Sequence, residues 1–170
     1  LTGLIWAKDA STPTIGDCTA GATSWQGALD YVSCLNSSSY LGFTDWVLPN
    51  IVELKSLVDL ERTSPPLPNE HPFIGVQLSR YWSSSTYNAS PGLAWHINMG
   101  NAYLTYISLY DGEKTRNYYV WPMREATLDS TVALPKTGQT ISYAPGDDGD
   151  LQKGVDAPVT RFVDNNDGTV

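Results

Sequence analysis

Two oxygen-rich runs in the last part of the chain hold the side chains best suited to bind a metal ion. Calcium binds to several carboxylate and carbonyl oxygens on flexible loops, and both runs combine Asp or Asn with Gly. The glycine of the second run stands at the fifth position counted from Asp164, whereas an EF-hand loop requires it at the sixth. Asx turns explain both runs as well. The candidate calcium ligands are Asp147, Asp148, Asp150, Asp164, Asn166 and Asp167.

The sequence contains no arrangement of nucleophile, base or metal ligands that is typical of an enzyme. The histidines, His71 and His96, have neither a Cys nor a second His beside them at the spacing of a zinc site. The Ser-rich stretch after Tyr81 lacks the Gly-x-Ser-x-Gly turn of a hydrolase, and nothing identifies a base for it. We therefore predict a protein without enzymatic activity, without catalytic residues, and with calcium as the one candidate cofactor.

The two cysteines, Cys18 and Cys34, flank a turn and a predicted helix. If they are paired, they close a loop of about 16 residues, for which the chain-entropy model gives roughly 3 kcal/mol. The alternative is two buried thiols. Charged residues make up only 16% of the chain, and this composition is typical of extracellular proteins, in which disulfides persist. The composition therefore favours the disulfide.

Size and net charge limit the partners of the chain. Its 170 residues are enough for one hydrophobic core and an appendage. Eighteen acidic and ten basic side chains give a net charge of −8, which leaves no basic surface for nucleic acid. No apolar run approaches the roughly 18 residues of a membrane span. We expect an extracellular or cell-surface protein that neither binds nucleic acid nor inserts into a membrane.

Two predicted helices follow a short N-terminal strand in which Leu4 and Trp6 share a face. Thr23 and Gln26 have the spacing of a capping box, and an apolar stripe at helical period follows them. Asn50 caps a second helix with Glu at the third position, and its stripe runs to about Leu60. The proline-rich stretch after it predicts a stiff loop.

Residues 80–124 alternate aromatic and β-branched residues with polar ones, which predicts an antiparallel meander. Residues 1–125 are therefore predicted to form an α+β domain of two helices packed on a small, aromatic-rich antiparallel sheet. Core packing is the expected role of the six tryptophans. Tyrosines that face outward could stack on sugar rings. The candidate ligand surface is Tyr103, Tyr106, Tyr110 and Tyr118.

The last quarter of the chain differs from this domain in composition. Residues 126–160 are acidic and rich in Pro and Gly, which predicts an extended linker. Residues 161–170 resemble half of a hairpin: a short strand, an Asn/Asp/Gly turn, and the first residues of a returning strand.

Several blocks of the sequence resemble a bacterial domain family named after the C-terminal domain of the Legionella collagen-like adhesin. The most specific blocks are Asp-Trp-x-Leu-Pro-Asn at 45–50 and Tyr-Trp-Ser-Ser at 81–84, and the likeness covers essentially the whole chain. The resemblance implies a fold similar to C-type lectins, a secreted or surface location, frequent tandem copies, and glycan-binding adhesion in some members. It implies no common enzymatic activity. The Glu-Pro-Asn and Gln-Pro-Asp motifs of calcium-dependent lectins are missing from this sequence.

In this family the motif Arg-Phe-x-Asp-Asn-x-Asp-Gly-Thr-Val normally stands directly before Leu-Thr-Gly-Leu-x-Trp, as the first hairpin of a domain. Here the motif occupies residues 161–170, and Leu-Thr-Gly-Leu-Ile-Trp occupies residues 1–6. The resemblance therefore implies a head-to-tail series in which the last strand of one unit completes the fold of the next. Fold-back within one chain and a boundary unrelated to the fold are the alternatives.

Two function hypotheses follow. In the first, copies of the chain, or covalent repeats of it, associate head to tail by strand docking. The donor residues are then Arg161, Phe162, Val163 and Val170, and the acceptor residues are Leu1, Leu4, Ile5 and Trp6. In the second, the chain is a glycan-binding adhesin module assisted by calcium. The two functions are compatible, because a series of such units is also a multivalent surface.

Overall fold

The computed structural model describes residues 2–19, 21–100, 111–126 and 134–157. These residues form a small α+β fold with three α-helices, a 3₁₀ turn and two antiparallel two-stranded sheets. The elements in chain order are β1 (Leu4–Trp6), α1 (Trp25–Ser37), the 3₁₀ turn (Tyr40–Gly42), α2 (Ile51–Lys55), β2 (Arg80–Thr86), β3 (Ala94–Asn98), β4 (Met123–Glu125) and α3 (Asp148–Leu151).

The first helix, α1, begins one residue later than the capping-box spacing predicts. Its N-cap is Ser24, whose hydroxyl accepts a hydrogen bond from the Gly27 amide at 3.1 Å. Thr23 cannot cap the helix because it is held in an antiparallel bridge with Tyr118, with 2.9 Å hydrogen bonds in both directions. The predicted apolar stripe is confirmed, and its buried residues are Trp25, Ala28, Leu29, Tyr31, Val32 and Leu35.

The second helix, α2, has the predicted capping box but is shorter than predicted. The Glu53 amide donates to Asn50 Oδ1 at 2.9 Å, and the Asn50 amide donates to Glu53 Oε2 at 2.7 Å. The helix ends at Lys55 rather than near Leu60. It ends there because the Ser56 amide is shared between two carbonyls and the following amides bond three residues back, which tightens the last turn.

The strands form two separate sheets, whereas the alternation over 80–124 predicts one continuous meander. β2 and β3 pair as an antiparallel hairpin with a register irregularity after Trp82. β4 pairs instead with β1, at the other end of the sequence. A parallel bridge between Tyr81 and Tyr119 joins the segment before β4 to β2. One stretch of the predicted meander, 101–110, lies outside the described residues.

Aromatic side chains from distant parts of the chain build the core. Tyr81, Trp82 and Trp121 are fully buried. The Trp121 ring lies 4.8 Å from Phe73 and 5.4 Å from Tyr81, measured between ring centroids. The Trp121 indole also donates a hydrogen bond to the Ala7 carbonyl at 2.9 Å, which ties the chain after β1 to the core. The core is therefore specified by directed hydrogen bonds as well as by burial.

The described part of the acidic C-terminal segment, 134–157, packs against the domain, which corrects the prediction of an extended linker. Ala144 and Asp148 are buried there, and Thr137 Oγ1 donates to Asp148 Oδ2 at 2.7 Å. The Thr86 amide at the end of β2 donates to Gln139 Oε1 at 2.7 Å. Composition indicates an extended arm, but Asp148 and Gln139 accept hydrogen bonds from Ser85 and Thr86 of β2 and hold the segment in place.

Cys18 and Cys34 form a disulfide, as predicted, with their Cα atoms 5.7 Å apart. It links the loop that follows β1 to the last turns of α1. In the described residues, no helix is both long and apolar enough to cross a membrane.

Candidate functional site

The outer edge of β1 is the part of the described structure that best fits a partner strand. β1 is a three-residue strand that pairs with β4 in the register Leu4 with Glu125, Ile5 with Arg124 and Trp6 with Met123. The sheet contains these two strands, so one edge of β1 faces β4 and the other edge has no strand beside it within the described residues. An open strand edge is a template for pairing with another chain.

The hydrogen-bonding groups of Leu4 and Trp6 point toward that open edge. The Ala126 amide donates to the Gly3 carbonyl at 2.7 Å, and the Ala7 amide donates to the Pro122 carbonyl at 2.9 Å. Because hydrogen-bonded and non-hydrogen-bonded pairs alternate in an antiparallel ladder, Leu4 and Trp6 form non-hydrogen-bonded pairs with β4. Across the ranges that the structure describes, their N–H and C=O groups have no partner.

The side chains of β1 divide between the two faces as predicted. The Trp6 ring lies 6.0 Å from the Trp121 ring in an edge-to-face arrangement and so faces the core. Ile5 points the other way and is 40% exposed. Leu4 is half-buried on the Trp6 side. A docked strand would therefore meet apolar side chains on both faces of β1.

A groove of about 410 Å³ adjoins the start of β1. One wall is Thr2 to Leu4, and the facing wall comes from the C-terminal segment, including Lys136 and Val155. Lys153 in that wall lies 3.3 Å from Glu125 of β4, measured from Nζ to Oε2. The C-terminal segment thus lies beside β1 and contributes half of the groove.

Glu53 lines the same groove and is only 3% exposed to solvent. The pKa of Glu53 is raised from 4.5 to about 7, chiefly by burial and also by the charges of Glu125 and Asp148, which together outweigh the lowering effect of the Asn50 amide and the Lys153 charge. The groove therefore contains a carboxyl group that changes charge near neutral pH.

The remaining residues predicted for docking fall outside the described residues. They are Leu1 on the acceptor side and Arg161, Phe162, Val163 and Val170 on the donor side. Leu4, Ile5 and Trp6 are brought together on one strand, as the sequence predicts.

Tyr118 does not belong to a ligand surface, which corrects its predicted role. It is 6% exposed, and its ring packs 4.5 Å from Trp82 and 5.0 Å from His96. Its hydroxyl donates to the Asp111 carbonyl. The sequence could not show whether Tyr118 faces the core or the solvent, because its position is set by the bridge to Thr23, which is distant in sequence. The other three predicted tyrosines, Tyr103, Tyr106 and Tyr110, lie outside the described residues.

Three of the acidic residues proposed for calcium lie in the described part of the chain, and all three accept hydrogen bonds within it. Asp147 caps α3 by accepting from the Asp150 amide at 2.9 Å and also accepts from the Tyr143 amide at 2.7 Å. Asp150 accepts from the Gly146 amide at 2.8 Å, and Asp148 accepts from two hydroxyls. No group of three or more potential ligands that could hold a metal ion occurs among the described residues. Asp164, Asn166 and Asp167 lie outside them.

His96 is a buried ring in the core between Trp82 and Tyr118. It is 3% exposed, and neither ring nitrogen has a hydrogen-bond partner within the described part of the chain. Burial lowers the pKa of His96 to about 4, so the ring is neutral at physiological pH. This environment fits packing.

A family model for the Lcl C-terminal domain matches residues 1–124. The chain belongs to this family. The match covers β1 and the first two residues of its partner strand β4, so the Lcl C-terminal domain includes the open edge of β1. Searches of curated proteins and of solved structures gave no match to the chain.

The disulfide and the membership in the Lcl family together indicate a compartment other than the cytoplasm, since disulfides persist in oxidising environments. The family match ends before the packed C-terminal segment begins. That segment nevertheless contributes buried residues to the described structure of this Lcl-family chain.

Two features of the site region were not predicted from the sequence. Lys114 lies over the Trp25 ring, with Nζ 3.6 Å from the ring centroid, and joins α1 to the end of β2 by donating to Thr86 Oγ1 at 2.7 Å. A second groove lies between the β2–β3 loop and residues 137–141. The pairing of Tyr87 with Trp95 across a Gly-containing turn is the sequence signal that could have indicated it.

Proposed function

We propose that this chain is a non-enzymatic structural and interaction unit, extracellular or on the cell surface, that associates head to tail. In this proposal, residues 161–170 of one unit pair with the open edge of β1 in the next unit. The observation that carries the proposal is that the N–H and C=O groups of Leu4 and Trp6 point away from β4 and have no partner among the described residues. A C-type-lectin-like fold for residues 1–125 is part of the same proposal.

Strand addition fits this edge for two physical reasons. Backbone hydrogen bonds to Leu4 and Trp6 would supply affinity without competing with the β1–β4 ladder, because that ladder uses the groups of Gly3, Ile5 and Ala7. The alternating apolar residues of a docked strand would also cover Ile5, which is 40% exposed. Phe162, Val163 and Val170 are the apolar side chains that the donor segment offers.

Such a contact joins two different surfaces of identical units, so it is heterologous. A heterologous contact repeats, and it produces a fibre unless the rotation between units closes a ring. The same docking geometry serves separate subunits and covalent tandem repeats. The proposal therefore concerns the contact itself.

The test measures the mass and shape of the native full-length chain by light scattering and electron microscopy. We expect assemblies well above 18.6 kDa. Phe162→Asp in the donor segment should dissociate them, because it places a charge against the β1 sheet. Leu60→Asp is the matched control, since Leu60 is 69% exposed and lies outside both the donor and acceptor segments.

The acceptor edge is tested by two proline variants. Leu4→Pro removes an N–H that points to the open edge, so it should block assembly while the β1–β4 ladder remains. Ile5→Pro removes an N–H of the ladder and should lower the unfolding temperature of the domain. A native chain that stays at 18.6 kDa, or assemblies that survive both Phe162→Asp and Leu4→Pro, would contradict head-to-tail docking.

A further inference from the structure

A groove of about 560 Å³ lies between the β2–β3 loop and residues 137–141, apart from the edge of β1. Tyr87 to Ala89 form one wall, and Thr137 to Ile141 form the other. The first residues of α2, Ile51 and Val52, close one end. A volume of this size is within the range of binding sites for small ligands and short segments of chain.

An aromatic corner lines this groove. The rings of Tyr87 and Trp95 meet at 87° with their centroids 5.8 Å apart, and both residues are half-buried. The indoles of four other tryptophans donate hydrogen bonds to backbone carbonyls inside the fold; these are Trp25, Trp46, Trp82 and Trp121. The Trp95 indole N–H has no such partner among the described residues, so it is available to a ligand in the groove.

Several polar side chains of the groove are already bonded within the fold. Both side-chain groups of Gln139 are engaged, since its Oε1 accepts from the Thr86 amide at 2.7 Å and its amide group donates to a backbone carbonyl at 3.0 Å. The hydroxyls of Ser85 and Thr137 both donate to Asp148. These bonds hold the walls in place, so a ligand enters a preformed groove and does not have to order it.

The side chains left for a ligand are neutral and able to donate hydrogen bonds. The Trp95 N–H can only donate, and the Tyr87 hydroxyl, the Asn88 amide group and the Thr140 hydroxyl can each donate as well. The lining residues include no Asp, Glu, Lys, Arg or His, although the chain carries a net charge of −8. The matching ligand is therefore uncharged, rich in carbonyl acceptors, poor in N–H groups, and apolar where it meets the two rings.

A proline-rich segment has all of these properties. Proline has no backbone N–H, and the polyproline II helix has no internal hydrogen bonds, so its carbonyls are free to accept. Aromatic-lined grooves are a recurring docking site for such segments, whose preformed helix loses little entropy on binding. The proline cluster of this chain, residues 65–68, does not supply the segment to a second copy, because Pro66 and Leu67 are buried in their own domain.

We propose that this groove binds a proline-rich segment of a partner protein, with proline rings packed on Trp95 and Tyr87 and a carbonyl of the segment accepting from the Trp95 N–H. No residue that lines the groove belongs to β1 or to residues 161–170. The site therefore goes beyond the head-to-tail function, and each proposal can fail while the other holds.

The test uses isothermal titration calorimetry of the whole chain. The probes are a proline decamer with capped ends and a capped glycine–serine peptide of the same length. We expect saturable binding of the proline peptide alone, and Trp95→Ala should weaken it about tenfold or more. Trp95→Phe keeps an aromatic ring in the fold and removes the N–H, so it should weaken binding about threefold or more and serves as the second variant if Trp95→Ala lowers stability.

Phe43→Ala is the matched control, because Phe43 is an aromatic residue 42% exposed that does not line the groove. It should leave the binding constant for the proline peptide unchanged. The proposal is overturned if the proline peptide does not bind, if the glycine–serine peptide binds as tightly, or if both Trp95→Ala and Trp95→Phe bind the proline peptide as the unsubstituted protein does.

Discussion

The carboxylate of Asp148 in α3 accepts a hydrogen bond from the hydroxyl of Ser85 in β2, across 63 residues of sequence. The same Ser85 oxygen accepts a hydrogen bond from the Ile51 amide at the start of α2, at 3.0 Å. Within the C-terminal segment, Thr137 Oγ1 donates to the same carboxylate oxygen, Asp148 Oδ2, at 2.7 Å. One buried carboxylate therefore connects the C-terminal segment to a strand and a helix of the domain.

Removing this carboxylate should release the C-terminal segment. Asp148→Ala leaves the hydroxyls of Ser85 and Thr137 without their acceptor, so we expect the free energy of unfolding to fall by about 1–3 kcal/mol. Urea unfolding measures the loss, and limited proteolysis should cleave residues 134–157 faster in the variant. Asp156→Ala is the control, because the Asp156 carboxylate is 84% exposed. Equal unfolding free energies for the two variants would contradict the anchoring role.

Features set by neighbouring residues could be predicted from the sequence. The Asn50 and Glu53 capping box depends on residues three apart, and the stripe of α1 depends on helical period, so both are local. The face of Leu4 and Trp6 follows from the alternation of a strand. The low content of charged residues, typical of extracellular proteins, favours the disulfide that the structure contains.

Features set by distant partners could not be predicted. Tyr118 is buried because Trp82 and His96 pack on it, and no local pattern names them. The C-terminal segment has the composition of a linker, yet it packs because Asp148 and Gln139 meet donors on β2. In the groove between the β2–β3 loop and residues 137–141, Tyr87 and Trp95 are close in sequence, but the facing wall comes from residues about fifty positions later.

The disulfide should contribute a large share of the stability of the domain. The Cys18–Cys34 bond has a sequence separation of 16 residues, for which the chain-entropy model gives about 3 kcal/mol. We expect the double substitution Cys18→Ala and Cys34→Ala to lower the unfolding free energy by about that amount. Reduction of the unsubstituted protein should have a similar effect, whereas reductant should leave the double variant unchanged. Unfolding of the unsubstituted protein that is insensitive to reductant would contradict the prediction.

Glu53 should make stability fall as pH rises toward neutrality. Its pKa is raised from 4.5 to about 7 in the folded state, so the folded protein holds this proton more tightly than the unfolded chain. The stabilisation is complete below about pH 4.5 and is lost as pH rises through about 7. Glu53→Gln retains a side-chain oxygen that can accept from the Asn50 amide and removes the titration.

Urea midpoints measured between pH 4 and 8 test this effect as a difference between the two proteins, because other groups, including His96, titrate in the same range. We expect the stability of Glu53→Gln relative to the unsubstituted protein to rise with pH across this window. Glu113→Gln, at a carboxylate that is 45% exposed, should show no such rise. Parallel pH profiles for Glu53→Gln and the unsubstituted protein would contradict the role of burial.

Lys114 should make the stability of the protein rise with pH in the alkaline range. Burial lowers its pKa from 10.5 to about 8 in the folded protein, so the unfolded chain binds the extra proton between these values. The free energy of unfolding should therefore rise as pH increases from about 8. The raised pKa values of Tyr31 and Tyr81 make stability fall as pH passes their ordinary value of 10.0, so the measurement belongs below about pH 9.5.

In that window, Lys114→Met should flatten the rise of the urea midpoint with pH, because methionine fills the space over the Trp25 ring without titrating. Lys136→Met is the matched control, at a lysine whose side chain is 29% exposed and paired with Asp156 at 2.8 Å. It should keep the slope of the unsubstituted protein. A slope that persists in Lys114→Met would mean that another group carries the alkaline titration.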